Sequence, residues 1–190
     1  MSKVMKLILI IAIFLICQTS FAQTNSIPEI FGKDVISKGR IYRGSFTPDA
    51  KSFYFFKKTG EGEKYGIFVS NFSKNKWSEP ERLLFGGDFS DLYPSISRDA
   101  KRMVFCSYRP VPNDTSSKPN SYLWLVEKKG KDWGEPVFLE KLNTLGNYHS
   151  WVEFGAKDTV YFRNTSPDWR TEYTWFSRWN GKEFSKPEVF

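Results

Sequence analysis

The 190-residue sequence holds one histidine, His149, and two cysteines, Cys17 and Cys106. A Ser-His-Asp triad would have to run through His149, yet there is no Gly-x-Ser-x-Gly elbow and nothing near His149 selects a serine. No Cys/His cluster has zinc spacing, so neither a metal nor a cofactor is expected. Asp88 and Asp91 flank a turn, where a carboxylate ordinarily serves turn chemistry. The residues that remain suit binding better than catalysis. Arg43, Tyr93 and His149 fall at one shared place, just before the first strand of three successive repeats, and offer hydrogen-bond donors and π-faces to a ligand. Trp151 stands where the other two repeats carry Ser45 and Ser95, and adds a stacking surface. A second group, Arg109, Asp114, Trp169 and Arg170, lies on the loops between second and third strands, the kind of segment that commonly carries binding.

The elements that position these residues repeat three times. Trp77-Ser78-Glu79-Pro80 is echoed by Trp133-Gly134-Glu135-Pro136 and Phe184-Ser185-Lys186-Pro187. Pro48-Asp49-Ala50-Lys51 is echoed by Arg98-Asp99-Ala100-Lys101 and Gly155-Ala156-Lys157, and an aromatic or β-branched run follows each. Asp49 and Asp99 are 50 residues apart, and Lys101 and Lys157 are 56 apart. Short strands at such a period predict β-propeller blades. No helix-period pattern of useful length occurs, so the chain reads as all-β. Three four-stranded blades are expected, at about 43–84, 92–140 and 148–190, or half of a six-bladed ring. Innermost strands line a propeller's channel, which places Arg43, Tyr93 and His149 at its mouth. Pro28-Glu29-Ile30-Phe31 matches Pro187-Glu188-Val189-Phe190 and is predicted to be a lone fourth strand that closes the last blade. Three blades cannot close a ring, which leaves two alternatives: a longer reading frame, or a homodimer completing a six-bladed ring.

Lys3 and Lys6, the apolar run Leu7 to Cys17, and Ser20-Phe21-Ala22 follow the order of a secretory signal, with cleavage expected after Ala22. The domains are therefore a signal peptide at 1–22 and a propeller at 23–190. The apolar run is about half the roughly 20 residues a spanning helix needs, so no membrane span is expected once it is cleaved. Ile16, next to Cys17, is too large for a lipoprotein signal. Removing two lysines lowers the net charge from +7 to +5. The lysines fall mostly in hairpin turns and form no basic face, which argues against a nucleic-acid partner. Cys106 is then the only thiol, without a disulfide partner, in an apolar run that suits a buried structural role. Asn71, Asn113 and Asn164 are Asn-x-Ser/Thr sites.

Ser45-Phe46-Thr47-Pro48-Asp49-Ala50-Lys51, Tyr93-Pro94-Ser95-Ile96-Ser97-Arg98-Asp99-Ala100-Lys101, and Tyr122-Leu123-Trp124-Leu125-Val126-Glu127 resemble the WD40-like "PD40" repeats of TolB-type β-propellers. Ala50 and Ala100 replace the glycine usual in that family's turn. The resemblance covers nearly all of 28–190 and implies a propeller in the periplasm or outside the cell. Such blades occur both in binding proteins and in accessory domains of hydrolases, and with so few catalytic residues the chain is read as a non-catalytic protein that binds a protein, peptide or glycan. The enzyme alternative is the propeller part of a secreted hydrolase, of prolyl-oligopeptidase or glycoside hydrolase type, whose catalytic part lies outside this chain.

Overall fold

The turns come first, because their chemistry is local. Thr47 donates its hydroxyl to the Asp49 carboxylate (2.7 Å) and accepts the Ser52 N–H (3.0 Å), while Asp49 takes the Lys51 N–H (3.1 Å). Ser97, Asp99, Lys101 and Arg102 repeat this network at 2.5, 2.9 and 3.0 Å. In both turns the alanine lies in the left-handed region, Ala50 at φ +54° and Ala100 at φ +56°. That conformation costs an L-residue about 1–2 kcal/mol.

The computed structural model describes residues 27–60, 62–113, 120–145, 148–166 and 168–190, so the signal peptide expected at 1–22 lies outside the described residues. The described strands form three antiparallel sheets. The first holds β1 (Ile41–Phe46), β2 (Ser52–Lys58) and β3 (Tyr65–Ser73), with the short β4 (Lys76–Trp77) and β5 (Glu81–Arg82) both paired to β3. The second holds β6 (Asp91–Ile96), β7 (Arg102–Ser107), β8 (Tyr122–Lys129), β9 (Asp132–Trp133) and β10 (Val137–Phe138). The third runs β11 (Tyr148–Phe154), β12 (Thr159–Thr165), β13 (Glu172–Arg178) and β14 (Glu188–Val189).

Each innermost strand begins two or three residues before the point that its sequence pattern suggests. The cause is a one-residue bulge in all three, between Ile41 and Gly44, Leu92 and Ser95, and Ser150 and Glu153. A bulge interrupts the alternation that marks a strand and turns the chain locally. Tyr93 and Trp151 sit in these bulges with φ of +52° and +55°.

The sheets stack face to face. Phe55, Phe105 and Phe162 occupy one equivalent position on the three second strands, and all three are fully buried. Tyr54, Phe56, Ile67 and Val69 of the first sheet share one core with Phe105, Leu123, Leu125 and Val126 of the second, and that core continues to Val152, Val160 and Phe162 of the third. Polar links recur at the same joints. Ser45 Oγ accepts the N–H of Ile96 (3.1 Å), and Ser95 Oγ accepts the N–H of Phe154 (2.8 Å), each serine gripping the next sheet's innermost strand. Between the second and third sheets, Arg102 is buried over Trp179 (4.9 Å) and pairs with Asp99 and Asp158, both at 3.2 Å.

The expected closing strand at Pro28–Phe31 does not form. Residues 27–30 belong to a unit separate from 31–190 and contain no strand. Gly32, at φ +55°, turns the chain immediately after Phe31, and its carbonyl accepts the N–H groups of Val35 and Ser37. A Cβ at Gly32 would come within 2.9 Å of the Ile36 Cβ. The segment that follows instead covers the outer face of the first sheet. Ile36 is buried with Phe53 and Phe55, and the Phe31 ring meets Phe46, Phe53 and Trp77 edge-on at 5.3–5.5 Å.

The turn geometry gives a direct test. Ala50→Gly with Ala100→Gly relieves both left-handed alanines, and after allowing for the greater freedom of glycine in the unfolded chain the pair gains about 1 kcal/mol. Urea unfolding of the double variant should show a raised midpoint with an unchanged slope.

Candidate functional site

Register between the sheets decides which residues are equivalent, and it corrects the sequence alignment of the third repeat. Ser45 lies opposite Tyr54, Ser95 opposite Val104, and Glu153 opposite Tyr161. Glu153, and not Trp151, therefore takes the serine position. Two steps back along each bulge, Arg43, Tyr93 and Trp151 form the equivalent set, while His149 aligns with Asp91 and Ile41. The turn joining β11 to β12 is the cause. It is one residue shorter than its counterparts, with the Gly155 N–H reaching the Thr159 carbonyl (2.7 Å) where Thr47 reaches Ser52 and Ser97 reaches Arg102.

The structure brings Arg43, Tyr93 and Trp151 together, although each comes from a different sheet. The Arg43 guanidinium lies 4.8 Å from the Trp151 ring centre and pairs with Glu153. Tyr93 stacks on Trp151 at 6.2 Å and meets Phe56 edge-on at 4.8 Å. Arg163, absent from the sequence-derived set, approaches Trp151 at 5.5 Å and pairs with Glu172.

His149 does not join this group. It is fully buried between Tyr122 and Phe162, and its Nε2 donates to the Leu142 carbonyl (3.2 Å). Burial lowers its pKa to about 4, so the ring is neutral at pH 7 and unsuited to act as a base there.

The loop-face residues separate as well. Arg109 is buried, which corrects the expectation of a surface arginine. Its Nη2 donates to both Asp91 carboxylate oxygens (3.0 and 3.1 Å), its Nη1 to the Phe85 carbonyl (3.0 Å) and its Nε to Ser107 Oγ (2.9 Å), and the guanidinium is ringed by Phe89, Phe105 and Trp124. Burial pushes the Asp91 carboxyl above the ordinary carboxylate value against the pull of Arg109. Asp114 lies outside the described residues. Trp169 and Arg170 are exposed on one turn, where Asp168 accepts the Arg170 N–H (3.2 Å) and Trp169 adopts φ +60°. Trp169 is 66% exposed, yet its ring rests against Tyr148 at 5.0 Å.

Between these two groups lies a cavity of about 390 Å³ walled by Tyr42, Tyr65, Tyr93, Tyr108 and Tyr148, with Phe56 and Leu92 beneath. Its tyrosines come from five strands or strand ends of three sheets, so linear spacing never places them together. The one legible sign is that Tyr42, Tyr65, Tyr108 and Tyr148 stand at strand ends, while Tyr93 lies in the bulge of β6. Burial raises the phenol pKa of Tyr93 to about 12 and that of Tyr108 upward as well, and the neighbouring Tyr42 phenol raises Tyr65. These hydroxyls stay protonated at neutral pH, each able to donate and to accept.

Among the described residues no three His, Cys, Asp or Glu side chains form a group that would hold an ion. Asp88 is engaged by Lys64 (2.9 Å) and Arg82 (2.6 Å), which hold its carboxyl below the ordinary range. Cys106 is fully buried, and burial pushes its thiol well up.

Three stacked antiparallel sheets, each with its shortest strands at the outer edge, make this a β-propeller assembly of three blades. No family model and no curated protein matches the chain. Among solved structures it is similar to TolB from Acinetobacter baumannii, at 13% identity and a TM-score of 0.36, over 79% of this chain and 43% of that one. It is also similar to an oligogalacturonate lyase in complex with manganese, at 16% identity and a TM-score of 0.45, over 75% of this chain and 39% of that one. The chain thus spans about two-fifths of the length of these structures. Among the described residues no helix is long and apolar enough to cross a membrane.

Two outcomes follow. Asp91→Ala leaves the Arg109 guanidinium buried without its counter-charge and costs about 3–5 kcal/mol in urea unfolding, where a surface ligand arginine would show almost none. The folded pKa of His149 lies below its unfolded value of 6.5, so its stabilising contribution is complete above pH 6.5 and is lost as pH falls toward 4. The loss between pH 7 and pH 5 is about 2 kcal/mol. His149→Gln keeps a donor for Leu142 and cannot titrate, so its unfolding midpoint should change less over that interval than that of the parent chain.

Proposed function

We propose that this chain is an exported, non-catalytic module of TolB-like PD40 blades that holds a protein, peptide or glycan in the periplasm or outside the cell. The observation that carries this reading is the tyrosine-walled cavity flanked by Trp151 and Trp169. It is concave, offers apolar ring faces and a few convergent hydroxyls, and lies across three blades, as small-ligand sites commonly do at the junction of elements. The burial of His149 and the engagement of Asp88 and Asp91 by arginine and lysine favour binding over hydrolysis. Export rests on the charge, apolar run and small residues of the first 22 positions.

Labelled chain is applied to immobilised panels of peptides and glycans, with a Tyr148→Ala/Trp151→Ala double variant alongside. Retention by the parent that falls at least tenfold in the variant is expected. Equal retention of both would overturn the assignment of binding to this cavity, retention of neither would point to a purely structural role, and turnover of chromogenic peptides or glycosides by the chain would contradict a non-catalytic one. Expressed with its own leader in a Gram-negative host, the exported protein should begin at Gln23 by mass of its N-terminal peptide.

A further inference from the structure

Resting on that binding reading, we propose that the tyrosine cavity takes an uncharged sugar ring, and that the glycan bearing it continues over the exposed face of Trp169.

The walls suit such a ligand in three ways. Tyr42 and Tyr65 stand nearly perpendicular at 5.4 Å, and Tyr108 and Tyr148 at 61° and 6.5 Å, so ring faces and ring edges both border the cavity. A pyranose offers the complement, apolar C–H faces with hydroxyls around the rim, and each hydroxyl both donates and accepts as a neutral phenol does. A volume of about 390 Å³ also falls within the roughly 300–1,000 Å³ of small-ligand sites.

Charge argues for a neutral ligand. Among the described residues that line the cavity Glu63 is the only acidic or basic one, and Lys58 holds both its oxygens at 3.1 and 3.2 Å. An anion finds no Lys or Arg among the described lining residues, and a cation finds only a carboxylate already held by Lys58, so an ionic ligand would lose water without gaining a free partner there. An extended peptide needs main-chain partners, and the Tyr65 N–H at the wall is already donated to Ser90 Oγ (3.1 Å).

Trp169 supplies the continuation. Its ring rests on Tyr148, a wall residue, and remains mostly exposed, with Ser166, Asp168 and Thr171 bracing the turn that holds it. A second sugar ring can stack there without entering the cavity.

The test is calorimetric titration of the purified chain with uncharged tetrasaccharides of β-1,4-glucose, α-1,4-glucose, mannose and N-acetylglucosamine, beside a proline-rich octapeptide and tetramethylammonium chloride. One glycan is expected to saturate. Its Kd should rise about tenfold in Tyr148→Phe, which keeps the ring and deletes the hydroxyl, and about tenfold in Trp169→Ala, which removes an exposed ring and leaves the thermal midpoint unchanged. No saturation by any glycan, or a Kd that neither substitution moves, overturns the sugar assignment. If the peptide or the ammonium ion binds instead and Trp169→Ala weakens it, the sugar assignment fails and the binding reading stands. If no probe binds a chain that circular dichroism shows to be folded, both fail.

Discussion

A sheet whose second strand is buried on both faces cannot exist alone in water, and this chain satisfies that demand by stacking. Phe55, Phe105 and Phe162 recur at the same place in successive blades, and each needs a different neighbour to cover it. The serine contacts at the inner joints fix how the neighbours meet. Ser45 and Ser95 each hold a main-chain N–H of the following blade, so the innermost strands are locked in register as well as in contact. Apolar area supplies most of the stabilisation, roughly 25 cal/mol for each Å² removed from water, while the hydroxyl contacts choose one alignment among many of similar area. Because the bulges recur at that alignment, Arg43, Tyr93 and Trp151 arrive at one place from three separate segments.

The same arrangement sorts polar groups by depth. Arg102 and Arg109 are buried and neutralised by Asp99, Asp158 and Asp91, so they serve the joints and the interior. Arg43 and Arg163 lie against Trp151 with carboxylate partners of their own. Most of the polar groups that line the cavity are phenols, beside Glu63 and Ser90. A surface rich in lysine and arginine thus encloses a recess that is close to neutral, and the overall positive charge of the chain says little about what enters it.

Much of the fold was legible because its signals are local. The Thr47-Asp49 and Ser97-Asp99 turns announce themselves through side chains that bond within five residues, and the Trp-Pro echoes mark the outer hairpins. The third repeat misled because its turn lacks the Ser/Thr-x-Asp network and is one residue shorter, so aligning Lys157 with Lys101 shifted the inner strand by two positions and put His149 where Trp151 belongs. Pro28–Phe31 misled for a different reason. Its residues match a fourth strand in type, but Phe31 packs instead on the outer face of the first sheet, just ahead of the left-handed Gly32. Of the candidate site, Arg43, Tyr93, Trp151 and Trp169 could be picked out as unusual members of repeats. The remaining cavity tyrosines could not, since aromatic residues at strand ends look alike in sequence whether they face a recess or a core.

The segment that lies over the first sheet also gives the stack a direction. Ile36 and Phe31 seal one end, whereas the far face of the third sheet carries Tyr161 and Phe176 among paired arginines and glutamates. The apolar contacts on that face of the first sheet are made by residues 31–38 of the same chain, so the Phe31 ring and the Ile36 side chain stand where a further blade would otherwise pack.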